Sequence, residues 1–102
     1  MLNISKWLFG PKADFKELMQ KGALIVDVRT PDEFRSGHVN GSINIPLSNI
    51  PAKLNEIKAK KKAIITVCLS GGRSAAAADI LKKAGLEAYN GGGWAGFERT
   101  IS

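Results

Sequence analysis

The only cysteine of the chain, Cys68, stands in the stretch VCLSGGRSAAAADIL (residues 67–81), followed by Leu69, Ser70, Gly71, Gly72, Arg73 and Ser74 before an alanine-rich run begins. A strand that ends in a nucleophile and turns through glycines into a helix is a ready cradle for an anion. The first N–H groups of a helix have no internal partner and point back at the loop. Gly71 and Gly72 permit the backbone angles of a concave nest of amides, and Arg73 adds a full positive charge. Each feature favours thiolate over thiol, so the pKa of Cys68 is expected below its ordinary ~8.5, which makes the sulfur a nucleophile. The competing reading is packing, because a cysteine closing an apolar strand is commonly a small buried hydrophobe.

Other chemistries drop out quickly. One cysteine forms no internal disulfide, and Cys68 with the single histidine, His38, cannot supply the four ligands of a structural zinc site. No metal and no cofactor is expected. His38 lies in the turn GHVNG, where a hydrogen bond to backbone is expected rather than proton shuttling.

The elements that must position Cys68 are legible as local patterns. Asp14 and Glu17 have the spacing of an N-cap and its N3 partner, opening a short helix that brings Phe15, Leu18 and Met19 to one face and stops at Gly22. ALIVDVR (residues 23–29) is a dense apolar run, the pattern of a strand buried on both faces in a parallel sheet, and it ends in the charges Asp27 and Arg29. Thr30, Pro31 and Glu33 combine a hydroxyl N-cap, a proline at the first helical position and an acid at N3, and Gly37 ends that short helix. SINIP (42–46) reads as a second brief strand, and Ile50, Leu54 and Ile57 fall at helical spacing. KAIITVC (62–68) is the next strand, and residues 74–85 follow as a helix with Ala77, Ile80 and Leu81 on one face and Gly85 as stop. LEAYN (86–90) is a last strand candidate, GGG (91–93) a tight turn, and WAGFERTI (94–101) a closing helical turn or two. The alternation of helix and strand predicts an α/β sandwich around a mainly parallel sheet. In such sheets ligands bind beyond the C-terminal strand ends, where Asp27, Arg29 and Cys68 all fall.

Loop length separates two designs that share the strand, cysteine, loop and helix outline. Cysteine phosphatases have five residues between nucleophile and arginine, whereas Cys68 and Arg73 enclose only Leu69, Ser70, Gly71 and Gly72. A phosphate cradle is one residue longer, so a small phosphatase or arsenate reductase is the reading that loop length rejects. The shorter loop resembles the C-x-x-G-x-R/T-S loop of the rhodanese family, the sulfurtransferases, through Cys68, Gly71, Arg73 and Ser74. IVDVRTPDEFRSGHVNGSINIPL (25–47) resembles the family's other signature segment, and YNGGGWAGF (89–97) its closing glycine-rich turn and tryptophan.

This resemblance implies a rhodanese-like three-layer sandwich, a mainly parallel five-stranded sheet with helices on both faces, in one domain over residues 1–102 with an extension at 1–12. It implies that Cys68 takes a sulfane sulfur from thiosulfate or a persulfide and carries it to a thiophilic acceptor: cyanide, a small thiol or a protein cysteine. Such an attack needs no general base once the thiol is ionised, and the loop amides of Leu69 to Ser74 would hold the anionic outer sulfur. Arg73 is the candidate for orienting an anionic donor. The resemblance casts Asp27 and Arg29 as supporting residues that brace the loop, while Trp94 is either core or a wall of the pocket mouth. Leu69 departs from the many active members that carry arginine there. The alternative is a non-catalytic rhodanese-like module that binds a partner or relays signals, against which an intact cysteine argues.

Bulk properties fit this reading. At 102 residues, 44% hydrophobic and 24% charged, the chain is sized and composed as one globular domain. No run approaches the ~20 apolar residues of a membrane span. Ile4, Trp7, Leu8 and Phe9 are too interrupted for a secretory core segment, so a reducing cytoplasm is the expected location. The net charge of +6 is concentrated in KLNEIKAKKK (53–62), five lysines against one glutamate with no aromatic residue among them. That pattern is a solvated helix end rather than a nucleic-acid surface, with an acidic partner as the lesser reading. Nothing in the pattern demands more than a monomer.

Overall fold

The computed structural model describes residues 13–102; the extension expected at residues 1–12, including Ile4, Trp7, Leu8 and Phe9, lies outside the described residues. Four strands, β1 (Leu24–Asp27), β2 (Ile43–Asn44), β3 (Ile64–Cys68) and β4 (Ala88–Gly93), pair in parallel in the order β2-β1-β3-β4. The helices are α1 (Phe15–Gln20), α2 (Pro31–Arg35), α3 (Ile50–Ala59), α4 (Gly72–Lys83) and α5 (Trp94–Ile101), with a 3-10 turn at Leu47–Asn49 leading into α3.

The central strands are the two runs with no polar stripe. All five residues of β3 are buried, and strand pleating sends them alternately to opposite faces. Val26, Val28, Ile64 and Cys68 meet Ile50 and Ile57 of α3 and Ala77 and Leu81 of α4 on one side. Ile25, Ile65 and Val67 meet Phe97 of α5 on the other, with Phe15, Leu18 and Met19 of α1 packed against them. Each fully buried Val, Ile, Leu or Phe among them stabilises the fold by about 1.5–3 kcal/mol. Helices thus cover both faces, and the three-layer parallel sandwich expected from the sequence is the observed architecture.

Two details differ from expectation. The sheet has four strands among the described residues, not the five implied by the resemblance, because the described residues offer only four β-capable runs. Nor is GGG (91–93) a turn after LEAYN: β4 begins later, at Ala88, and runs through all three glycines. The reason is steric. A Cβ on Gly91 would lie 2.9 Å from Ile65 Cγ2, Thr66 O and Val67 Cγ1, so only a glycine strand lies this close to β3, where the register shifts between Thr66 and Val67. Gly91→Ala is accordingly expected to cost about 1–3 kcal/mol, read as a lower urea midpoint with unchanged m-value.

Local capping aims the loops. At α2 the complete capping box forms: Thr30 Oγ1 accepts from Glu33 N–H, and Glu33 Oε1 accepts from Thr30 N–H at 3.1 Å. At α1 only half forms as predicted, since Asp14 accepts from Glu17 N–H while the Glu17 carboxylate pairs with Lys21 at 2.8 Å. The loop after β1 leads towards β2 and the loop after β3 leads towards β4, on the opposite side. These adjacent strand ends are where strand order reverses, and they open the crevice in which α/β sheets place their sites. Asp27 and Cys68 stand there.

Candidate active site

Cys68 ends β3 and is 1% exposed, so it does pack within the core. Its sulfur is nevertheless set among donors. Gly71 sits at φ +108°, a conformation open to glycine, and this turn brings its N–H to 3.0 Å from Cys68 Sγ. The Ser74 Oγ lies 3.3 Å from the sulfur, and the amides of Ser70 and Ser74 also point towards it. Burial pushes the thiol pKa up, but hydrogen bonds from Ser74, Gly71 and Ser70 outweigh it and hold Cys68 below the ordinary thiol value. The first turn of α4 starts at Gly72, so its amide dipoles act in the same direction. Packing and a polar setting are therefore not alternatives here: the core fixes the sulfur, and the loop's donors favour its charged form.

Ser74 is fully buried, and Thr66 Oγ1 donates to its carbonyl at 2.7 Å, tying the helix start back to β3. The Gly71 carbonyl, in turn, accepts from Ala75 N–H at 3.0 Å and lies 3.1 Å from Ser74 Oγ, so the loop is tied to the helix it opens.

Arg73 takes a position that no local pattern shows. Its Nη1 and Nη2 donate to Glu33 Oε1 and Oε2 at 2.7 and 3.0 Å, joining α4 to α2 across the site. Hydrogen bonds from Arg73 and from the Thr30 N–H hold the Glu33 carboxyl down at about 2. A carboxyl lowered in this way makes its contribution above its ordinary pKa and loses it only as pH falls through about 2, so the pair stays closed at neutral pH. Glu33 is more than a cap, and Arg73 is less than a free cation. Leu69, meanwhile, exposes 63% of its surface at the loop mouth.

Asp27 and Arg29 form a buried pair beside the loop, 0% and 3% exposed. Arg29 Nε donates to both Asp27 oxygens at 2.9 and 3.0 Å, and Nη2 donates to Oδ2 at 2.7 Å and to the Gly37 carbonyl at 2.6 Å. The guanidinium lies 5.0 Å from the centroid of the Trp94 ring, which is half-buried against the α1/α5 side of the core. Asn44 Nδ2 donates to the carbonyls of Asp27 and Arg29, and Val28 N–H donates to Val67 O at 2.9 Å, holding this end of β1 against β3. Trp94 thus packs its ring against the Arg29 guanidinium.

The remaining polar groups fall outside the site. His38 Nδ1 donates to Phe34 O at 2.7 Å and its ring stacks on Phe34, the backbone role expected of it. Lys58, Lys60, Lys61 and Lys62 are exposed at the end of α3. A groove of about 510 Å³ near them, lined by Ile57, Lys58, Leu86 and Glu87 among others, lies at the opposite strand ends and holds no nucleophile. Among the described residues no group of three His, Cys, Asp or Glu side chains could hold a metal, and no helix is long and apolar enough to cross a membrane. Sequence reasoning missed two participants, the Glu33–Arg73 link and Asn90, whose side chain contacts Ser74; the only signal for Asn90 was a polar residue closing the YN segment.

A parallel α/β sandwich whose central strand ends in a cysteine wrapped by loop amides defines a domain that holds one sulfur atom among hydrogen-bond donors. The chain belongs to the rhodanese-like family: residues 11–100 match the Rhodanese-like domain. It is 44% identical over 69 residues to the uncharacterized protein YqhL of Bacillus subtilis, covering 67% of this chain and 54% of that protein. Thiosulfate sulfurtransferase 16, chloroplastic, of Arabidopsis thaliana is 37% identical over 81 residues, covering 69% of this chain and 68% of that one. Among solved structures, a rhodanese with anions from E. coli superimposes with a TM-score of 0.67 at 30% identity, covering 72% of this chain and 89% of that chain. The chain spans about half the length of several of its curated relatives.

Proposed function

We propose that this chain is a sulfurtransferase that moves a sulfane sulfur through a persulfide on Cys68. The observation that carries the reading is the sulfur's setting: Cys68 Sγ accepts the Gly71 N–H at 3.0 Å within a loop too short for phosphate. In the first half-reaction the Cys68 thiolate attacks the sulfane sulfur of thiosulfate or of a thiol persulfide. A new S–S bond forms, the donor's S–S bond breaks, and sulfite or a thiolate leaves with the electron pair. In the second, cyanide, a small thiol or a protein thiol attacks the outer sulfur and the Cys68 thiolate departs. The amides that stabilise the thiolate also hold the anionic outer sulfur, so no general base or cofactor is needed. A reducing compartment suits this chemistry, since it keeps the thiol free.

The mouth of the site sets the donor preference. Thiosulfate is a dianion, yet Arg73 is neutralised by Glu33 and Leu69 offers no charge. Persulfide donors are expected to outperform thiosulfate. Leu69→Arg is expected to raise kcat/KM for thiosulfate by about five- to tenfold, about 1–1.4 kcal/mol, the worth of one solvent-screened hydrogen bond at an exposed mouth, with little change for a neutral persulfide. Turnover assays pairing each donor with cyanide and with thiols test the proposal. Absence of turnover with every pair, on reduced and folded protein, overturns the sulfurtransferase reading; equal gains with both donors overturn the role given to Leu69.

A further inference from the structure

The Ser74 hydroxyl has one proton and three acceptors around it: Asn90 Oδ1 at 2.6 Å, the Gly71 carbonyl at 3.1 Å and Cys68 Sγ at 3.3 Å. A hydroxyl donates once, so at most one of these is served at a time. The orientation of the Asn90 amide decides which. The atom of Asn90 nearest Ser74 also lies 2.9 Å from the Gly92 N–H, and a backbone N–H only donates. That atom is therefore the amide oxygen, and Ser74 must be the donor in its 2.6 Å contact. With the proton committed to Asn90, Ser74 Oγ is an acceptor towards the cysteine and takes the S–H of a neutral thiol.

Ionisation of Cys68 reverses this arrangement. The sulfur loses its proton to solvent and becomes an acceptor, and a hydroxyl 3.3 Å away stabilises it only by turning its own proton from Asn90 to Sγ. Asn90 Oδ1 is not stranded by the turn, because it keeps the Gly92 N–H. Once Cys68 bears an outer sulfur, the negative charge moves one atom outward and Sγ becomes a weak acceptor again. No bond is made or broken at Ser74; one hydroxyl rotates.

We propose that Asn90, on β4, is a positioning residue that holds the Ser74 proton while the Cys68 sulfur is uncharged and releases it when the sulfur becomes a thiolate. The inference rests on the reading of Cys68 as the ionising nucleophile. Asn90 so competes with the thiolate for one proton, which tempers the nucleophile: a thiolate that is stabilised less remains more reactive towards sulfur. The amide nitrogen of Asn90 contributes little to the loop itself, since its 3.3 Å contact is to a Gly71 carbonyl already paired with Ala75 N–H at 3.0 Å. The charged groups bearing on this corner are Arg73, whose charge interacts with Cys68 and Asp27, its partner Glu33, and Arg29 on Asp27. The substitutions below leave all of them in place.

The test is the pH dependence of Cys68 alkylation by iodoacetamide, which needs no donor or acceptor. Asn90→Ala removes the competitor, so its midpoint is expected to fall by about half a pH unit, roughly threefold in the ionisation constant. Asn90→Asp strengthens the competitor, so its midpoint is expected to rise. In a Ser74→Ala background, where there is no proton to contest, the Asn90→Ala shift is expected to vanish. A purely structural Asn90 predicts the opposite sign for alanine, because a loosened loop withdraws amides from the sulfur and raises the midpoint. An upward or null shift in Asn90→Ala, or one that persists undiminished without Ser74, overturns the proposal. Failure of the sulfurtransferase reading is separable, since it abolishes turnover and leaves these profiles intact.

Discussion

Cys68→Ser is expected to abolish sulfur transfer, with turnover falling at least about a thousandfold, equivalent to about 4 kcal/mol of barrier. The substitution keeps the size and the hydrogen-bonding sense of the residue. The Gly71 N–H and the Ser74 hydroxyl that face Sγ would face an oxygen instead. The fold should therefore survive, with an unchanged far-UV spectrum and urea midpoint. What disappears is an ionisable, sulfur-seeking atom, because a serine hydroxyl does not ionise near neutral pH even in a cradle of amides. Steady-state assays with thiosulfate and with a persulfide donor, beside the wild type, check this. A variant that keeps a tenth or more of wild-type turnover would contradict the assignment of Cys68 as nucleophile. A variant that lost turnover only by unfolding would show it in the urea curve.

The second large effect concerns stability. Asp27→Ala is expected to destabilise the fold by about 3–5 kcal/mol, because it leaves the guanidinium of Arg29 buried beside a missing carboxylate. Arg29 is 3% exposed, and three of its side-chain contacts, at 2.9, 3.0 and 2.7 Å, are to Asp27. Its bond to the Gly37 carbonyl and its place over Trp94 keep it from swinging out to water. The loss therefore comes chiefly from an unpaired charge rather than from the net worth of the pair. A double variant, Asp27→Ala with Arg29→Leu, separates these: it is expected to recover much of the loss, whereas independent contributions would add. Urea denaturation of the two single variants and the double variant is the measurement. Because β1 and β3 are bonded together just past Asp27, the single variant should also weaken the ordering of the Cys68 loop.

What the sequence made legible was local. The strands ALIVDVR and KAIITVC, the Thr30–Glu33 capping box and the stop at Gly85 each depend on residues within one turn or one strand. The two hydrophobic faces follow from strand pleating, and the address of Cys68 follows from its place at the end of a buried strand. The reading failed where distant residues decide. Three consecutive glycines look like a turn until β3 is placed beside them, when close approach makes them strand. Glu33 satisfies a local capping rule so well that its second role, binding Arg73 forty residues away, leaves no trace in the pattern. Asn90 reaches Ser74 only because β4 pairs with β3 so that Thr66 faces Asn90, with the register shifting at the next residue. Leu69 was visible as a departure from the common arginine, but the charge left at the mouth depended on the Glu33 contact as well.

The central claim is that Cys68 carries sulfur covalently, and the intact mass of the protein reads this most directly. Reduced, folded protein incubated with thiosulfate or a small persulfide and then desalted should gain ~32 Da, one sulfur, and lose it again on addition of cyanide or a thiol. Cys68→Ser, treated identically, should gain nothing. No adduct with any donor, or an equal adduct on Cys68→Ser, would contradict the account.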